Sequence, residues 1–317
     1  MKNGVLVISL DFELMWGSFD HSAVPDKKQY FTNTLYALPK LLDSLVKNQM
    51  KATWATVGML MNDNWDEWSS RMPSHLPTYH NQKLNSYEFG FEQRKEGYEK
   101  FFFAPSFVRN IVQADNQELG THTYAHYYCL EPGQNSTQFK ADLELALKMA
   151  QKFEVPIRSL VFPKNQVNTQ YLEECSKKGI TTVRSNPNVW YWNMNTPETL
   201  FKKIIRTSDA YIPLRSHSYP INSICNQPLT AQPASRFFRP QHRFELLNRL
   251  RLDRIKNEIM EAAKKGHVYH LWWHPHNFGI DPKGSLKALE EIIWLFLYCK
   301  ETYGMQSKMM KEINPIL

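Results

Sequence analysis

The chain has 317 residues, of which 42% are hydrophobic and 13% aromatic, so it can bury a large core and is neither disordered nor collagen-like. Its 38 Lys and Arg against 31 Asp and Glu give a net charge of +7, but the basic residues are dispersed, which argues against nucleic-acid binding. The longest apolar stretch, residues 292–299, is too short to span a bilayer. No signal peptide is recognised, and the four cysteines are scattered, so we expect a cytoplasmic protein.

Strand and helix patterns alternate along the chain. A short apolar run rich in Val and Ile predicts a strand over residues 4–10. Further strands are predicted over residues 52–57, 118–121, 159–162, 180–184 and 267–273, and a weaker pattern predicts one more at 210–214. Helical spacing of apolar residues predicts helices over residues 31–49, 107–114, 135–153, 169–178, 196–205, 245–265 and 284–301. Strands that each lead into a helix favour parallel pairing through right-handed crossovers.

This alternation predicts an α/β fold, an irregular (β/α) barrel of about seven parallel strands. An open nucleotide-binding sheet is disfavoured because no Gly-rich loop follows the first strand. Two long segments without a clear period, residues 62–105 and 207–240, interrupt the pattern. We expect both to be loop insertions that border the mouth of one domain spanning residues 1–317.

Polar side chains follow the predicted strands at the points where the strands end. Active residues of (β/α) barrels lie at these carboxyl ends, so we expect the side chains to converge. They are Asp11 and Glu13 after the first strand, His122 and His126 after the third, Pro163, Lys164 and Asn165 after the fourth, Arg184 at the end of the fifth, and His274 and His276 after the last.

Each of these patterns alone has a structural explanation. An Asp-x-Glu pair often caps a helix, and His-Pro-His is compatible with a simple turn. Together, two imidazoles and a carboxylate suit a divalent metal ion with an open position for water. A second carboxylate can then accept a proton from the water, and a further imidazole can protonate a leaving group. The combination indicates a metal-dependent hydrolase.

These motifs resemble those of the polysaccharide deacetylases with a NodB homology domain, carbohydrate esterase family 4, over residues 6–278. The resemblance implies the irregular barrel and removal of an N-acetyl group from an amino sugar of a bacterial polysaccharide or its precursor. By the same resemblance, Asp11 is the base and His274 the general acid, and one divalent ion, most often zinc, is held by Glu13, His122 and His126.

The sequence departs from the family pattern in two places. Glu13 stands where a shorter Asp is usual, and the family's Arg-x-Pro motif is replaced by residues 162–165, which contain no Arg. Arg184 is our candidate for the missing Arg, which normally steadies the base.

Further residues are expected to contact the carbohydrate substrate or to support the ligands. They are Trp16, Pro163, Lys164, Asn165, Arg184, His270 and His276. Two other functions stay open at this point. One is hydrolysis of a small non-peptide amide, as in allantoinase-like members of the superfamily, and the other is glycan binding by an inactive metal-containing protein. The sequence leaves the sugar and the oligomeric state open.

Overall fold

A computed structural model of the chain describes residues 3–95, 97–187, 189–193, 199–212, 215–224 and 226–313. Within these ranges nine strands form one sheet, and every pairing between them is parallel. The strands are β1 Val5–Phe12, β2 Ala52–Thr56, β3 Gln117–Thr121, β4 Ser159–Val161, β5 Thr182–Ser185, β6 Thr230–Pro233, β7 Arg236–Phe237, β8 Val268–Trp273 and β9 Gln306–Lys308. Their order is β6-β5-β4-β3-β2-β1-β8-β7, with β9 paired to β1.

Nine α-helices surround the sheet in the described part of the chain. They are α1 Val24–Lys47, α2 Trp65–Ser70, α3 Ser86–Gln93, α4 Pro105–Gln113, α5 Ser136–Ala150, α6 Leu172–Lys177, α7 Leu200–Ser208, α8 Glu245–Lys265 and α9 Pro282–Tyr303. Local chemistry fixes several ends: Asn135 and Gln138 form a capping box at the start of α5, and Gly266, with φ of 67°, ends α8. No described helix is long and apolar enough to cross a membrane.

Successive side chains of β1 point to opposite faces of the sheet. Leu6, Ile8 and Leu10 belong to the large outer core that the surrounding helices cover. Ser9 and Asp11 have the opposite parity and bind side chains of β5 and β8 inside the barrel. The sheet therefore presents an apolar outer face and a partly polar interior. The predicted irregular (β/α) barrel is confirmed, with more strands than the seven expected.

The amino-terminal end of the barrel is closed by two chain segments. Ile224, Met310 and Ile313 form a buried cluster with interior residues of the strands, including Val7 and Val268. Tyr219 makes an antiparallel bridge with Val268, at the start of β8. The prediction that residues 207–240 border the mouth as a loop is therefore wrong in part, because this segment contributes a plug at the opposite end and the strands β6 and β7.

Residues 62–105 contain α2, α3 and several short turns, and they lie over the carboxyl ends of the strands. The Trp16 indole donates to the Phe102 carbonyl at 2.8 Å, and the Ser86 hydroxyl donates to the Ala125 carbonyl at 2.9 Å. These bonds tie the segment to the chain that follows β1 and β3. The assignment of residues 1–317 to a single domain stays a prediction.

The strand predicted at 210–214 is wrong where it is described: α7 ends at Ser208, residues 209–212 form a turn, and residues 213–214 lie outside the described ranges. The first residues of the helix predicted at 196–205 also lie outside them. Strands β6, β7 and β9 were not predicted, because β6 contains a proline, β7 has two residues and β9 is polar.

Candidate metal centre and active site

Five parallel strands, β1, β3, β4, β5 and β8, carry predicted site residues to one end of the barrel. Asp11 is the second-last residue of β1, and Glu13 is the first residue after that strand. His122 follows β3, Arg184 lies in β5, and His274 follows β8. Because parallel strands end at the same edge, residues far apart in the sequence meet there.

The closest group in the site joins Glu13, His122 and His126. The Glu13 Oε2 atom lies 3.0 Å from His126 Nε2 and 3.3 Å from His122 Nε2, and all three side chains are buried. His122 Nδ1 lies 2.8 Å from the Val161 carbonyl oxygen. A carbonyl only accepts, so Nδ1 carries a proton and Nε2 is the nitrogen that faces Glu13.

The protonation states of this group suit a cation. Burial alone would raise the pKa of Glu13, but the imidazoles of His274, His122 and His126 outweigh it and hold that pKa well below its ordinary value. Burial lowers the pKa of His126, which favours neutral imidazole. Glu13 Oε2 is buried with no hydrogen-bond donor among the described residues. An ionised carboxylate and two imidazole nitrogens are a donor set that fits a divalent metal such as zinc.

A second imidazole pair approaches Glu13 from the other side. His274 Nε2 lies 3.6 Å and His276 Nδ1 3.7 Å from Glu13 Oε1, and the two rings are stacked 5.0 Å apart. The side chain of His274 is 26% exposed and that of His276 is 11% exposed. His274 is therefore the imidazole that faces both the carboxylates and the open mouth.

Asp11 is held by Arg184 across the barrel. The guanidinium donates to both carboxylate oxygens at 2.7 Å, and it also donates to Ser9 Oγ at 3.0 Å and Asn165 Oδ1 at 2.8 Å. Burial would raise the pKa of Asp11, but the charge of Arg184 outweighs it and the pKa is lowered. Arg184 therefore lies beside Asp11, the carboxylate that the absent Arg of the family motif would be expected to hold.

The turn after β4 supports this arrangement. Lys164 and Asn165 have φ of 51° and 54°, in the left-handed region. This turn directs Asn165 Oδ1 to Arg184, while Asn186 Nδ2 donates to the Asn165 carbonyl at 3.0 Å. The Lys164 ammonium pairs with Asp20 and lies 4.4 Å from the centre of the Tyr128 ring. Pro163 is buried at the first position of the turn.

A residue missed by the sequence analysis shapes the loop between His122 and His126. Asp142 of α5 accepts backbone hydrogen bonds from Tyr124 at 2.7 Å and Ala125 at 2.9 Å. The loop is tightly bent, since His126 has φ of 54°. Burial raises the pKa of Asp142 to about 7, and the two backbone donors oppose that rise. A buried acid inside an apolar helix face was the available signal.

Two further predicted residues lie behind the site. His270 is buried, and its Nε2 lies 2.8 Å from Ser9 Oγ, which also binds Arg184. Trp16 has no exposed surface and stacks on Trp68 with ring centres 5.8 Å apart. The expectation that Trp16 contacts the substrate is therefore corrected, because its ring is enclosed by the aromatic core.

A cleft of about 490 Å³ opens beside the site. Phe19 forms part of its wall and packs edge-on against His126, with ring centres 6.1 Å apart. Asp20, Glu88 and Phe89 line other parts of the cleft. An aromatic wall with polar groups around it has the character of a ligand site.

Comparisons with known proteins bear on the family and the fold of the chain. Residues 33–183 match the family model described as polysaccharide deacetylase. The fold is similar to that of a candidate polysaccharide deacetylase from Mycobacterium smegmatis, at 14% identity and a TM-score of 0.60 over 98% of this chain and 89% of that chain. A candidate polysaccharide deacetylase from Pseudomonas aeruginosa PAO1 has 11% identity and a TM-score of 0.57, again over 98% and 89%.

The Puue allantoinase has 10% identity and a TM-score of 0.55, over 98% of this chain and 88% of that one. No curated protein matches the sequence. These structural likenesses show the fold, and the family match covers the segment with His122 and His126. The comparisons therefore confirm the chain's resemblance to the polysaccharide deacetylase family.

Proposed function

We propose that this protein is a metal-dependent hydrolase that removes an N-acetyl group from an amino sugar of a polysaccharide or its precursor. The observation that carries the proposal is the position of Asp11, fixed by Arg184, beside the buried group of Glu13, His122 and His126. The family match supports a hydrolase of the deacetylase kind.

Glu13, His122 and His126 would hold the metal, for which their donor atoms favour zinc. When bound, such an ion supplies Lewis acidity, which polarises a carbonyl group and lowers the pKa of water. The Val161 carbonyl fixes the tautomer and orientation of His122, which keeps its Nε2 directed at the ligand group.

Asp11 is proposed to accept a proton from the attacking water. Each carboxylate oxygen has two lone pairs, and the paired bonds from Arg184 use one on each oxygen. The remaining lone pair of Oδ2 is on the side of His274, whose Nε2 lies 3.7 Å away. Arg184 keeps Asp11 ionised and prevents rotation of the carboxylate, so the acceptor is ready before substrate binds.

His274 is proposed to protonate the departing amine. The Asn277 amide nitrogen makes a long contact of 3.5 Å with His274 Nδ1, so Nε2 is the ring nitrogen directed at the reacting groups. That nitrogen faces Asp11 and Glu13. A developing oxyanion would find a backbone donor at Lys164, whose N–H donates to no backbone carbonyl of the described residues.

Release of acetate from N-acetylated amino sugars tests the proposal. Protein stripped of metal by a chelator should release none, and adding back zinc should restore release in the original chain but not in Asp11→Asn. If a cyclic ureide is hydrolysed in place of the sugar amides, the substrate class is wrong. If the zinc-loaded protein binds sugars and hydrolyses no amide, the protein is the inactive binder and the proposal is rejected.

A further inference from the structure

A network of buried charges lies at the open edge of the sheet, near β7 and α8. Arg236 donates to Glu258 from Nε at 2.7 Å and contacts Asp209 at 3.4 Å. Arg254 lies 3.1 Å from Glu258. His217 adds a 2.8 Å bond to Asp209. The two acids of this network are therefore already used by Arg236, Arg254 and His217.

Two more arginines stand beside this network without an acid of their own. Neither Arg239 nor Arg251 has a carboxylate within 4.0 Å among the residues that the structure describes. Arg251 donates to neutral acceptors, the Leu247 carbonyl and Asn248 Oδ1, and its guanidinium lies 5.7 Å from the centre of the Tyr211 ring. The Arg239 guanidinium lies 5.9 Å from the centre of the Phe237 ring.

The two side chains are half-buried and close enough to repel each other. With Arg236 they line one small cavity between β7 and α8. Burial lowers the pKa of both guanidinium groups, and the charges of Arg251, Arg236 and Arg206 lower that of Arg239 further. Several guanidinium cations in one half-buried cavity repel each other, and this is unfavourable unless a bound anion neutralises their charge.

Arg239 of this arginine pair, Arg239 and Arg251, lies toward the mouth of the barrel. Arg239 follows β7, whose carboxyl end is at the mouth of the barrel. Between Arg239 and the proposed general acid stands one aromatic ring, because Phe237 also packs against His274 with ring centres 5.4 Å apart. Along this path a single side chain, that of Phe237, separates the Arg239 guanidinium from His274.

We propose that Arg239 and Arg251 bind a phosphate group carried by the amino-sugar substrate. Two guanidinium forks match the several oxygens of a phosphate ester better than a single carboxylate. The inference rests on the proposed deacetylation and narrows its substrate class from neutral glycans to phosphorylated amino sugars. The phosphate has two sources, a free sugar phosphate and a sugar phosphate attached to a lipid.

Steady-state kinetics of acetate release by the zinc-loaded protein test the proposal. Three small substrates are compared: N-acetylglucosamine, its 1-phosphate, and an N-acetylated amino sugar with a carboxylate. Arg239→Gln and Arg251→Gln should each raise KM for the phosphate by roughly tenfold, with kcat unchanged, and leave the neutral sugar unaffected. Arg249→Gln, which removes an exposed arginine of the same helix, should change none of these values.

A lipid-linked substrate in detergent micelles separates the two phosphate sources. If its KM is lower than that of the free sugar phosphate, the lipid-linked form is the preferred substrate. The proposal is overturned if both variants behave like Arg249→Gln, or if they affect only the carboxylate substrate. Calorimetric binding of the 1-phosphate keeps the two proposals distinct. If Arg239→Gln and Arg251→Gln bind the 1-phosphate more weakly than the original chain, the phosphate site is supported even when no acetate is released. If all variants bind the 1-phosphate equally well, the phosphate site is overturned.

Discussion

Arg184 of β5 reaches across the barrel and binds both carboxylate oxygens of Asp11 in β1, each at 2.7 Å. The two strands are separated by three others in the sheet, so the pair spans the interior and does not join neighbours. Asn165 and Ser9 take two of the remaining guanidinium donors. The orientation of the proposed base is therefore set by a contact across the interior of the barrel.

Replacing Arg184 should harm both stability and turnover. Arg184→Gln leaves the buried Asp11 charge without its partner, which costs about 3–5 kcal/mol in the free energy of unfolding. Arg184→Lys keeps the charge but loses the paired bonds, so we expect turnover to fall by roughly tenfold or more while metal content is unchanged. Denaturant unfolding and acetate release measure the two effects. Full activity in Arg184→Lys would show that the paired geometry is dispensable.

Asp142 should control metal affinity without touching the metal. Asp142→Asn presents an NH₂ group to one of the two backbone donors of Tyr124 and Ala125, so the loop between His122 and His126 loses a bond. We expect metal affinity to fall by about 10–100-fold, as for other groups that orient ligands. Glu144→Gln, an exposed change on the same helix, is the control. Competition with a chelator measures both, and equal affinity would refute the positioning role.

Glu118 should make stability depend on pH. Its carboxylate is buried inside the barrel, where it accepts from Thr53 at 2.7 Å and Ser159 at 2.8 Å, and burial raises its pKa. An acid whose pKa is raised by folding favours the folded state when protonated. That contribution is present below the unfolded pKa of about 4.3 and is lost as pH rises through the folded pKa.

Glu118→Gln should remove this dependence. Relative to the variant, the original chain should lose stability as pH rises from about 4. Unfolding free energies at several pH values measure the difference between the two proteins, with Glu144→Gln as an exposed control that keeps the original slope. A difference that stays constant with pH would mean that folding does not perturb Glu118.

His274 should be the histidine that supplies the proton to the amine. His270 is sealed beneath the site, and burial lowers the pKa values of both His270 and His276 to about 3, so neither is a cation near neutral pH. His274→Ala should keep the metal and remove the alkaline limb of the pH profile of kcat/KM. Loss of that limb in His276→Ala, with His274→Ala unchanged, would reassign the acid.

Much of the site was predictable because it depends on strand ends. Asp11, Glu13, His122 and His274 each stand at or just after the end of a predicted strand, and parallel strands bring such ends together. Asp142 was not predictable in the same way. It accepts hydrogen bonds from backbone N–H groups of the loop between His122 and His126, and the bend of that loop depends on tertiary contacts.

The missed parts of the fold share another cause. The strand β7 and the plug at Ile224 and Met310 have too few residues for a period, and their conformation comes from contacts with distant strands. Trp16 was misjudged because its place beside a site motif does not reveal which way the ring points. The structure directs it into the core, where Trp68 and Phe102 enclose it.

The central claim is the division of roles between two acids two residues apart, Glu13 as ligand and Asp11 as base. Elemental analysis of purified Glu13→Gln and Asp11→Asn, after both are equilibrated with one equivalent of zinc and passed through a desalting column, tests it most directly. We expect Asp11→Asn to keep its zinc while acetate release falls by roughly 100-fold or more, and Glu13→Gln to lose its zinc. Zinc retained by Glu13→Gln and lost by Asp11→Asn would contradict the account.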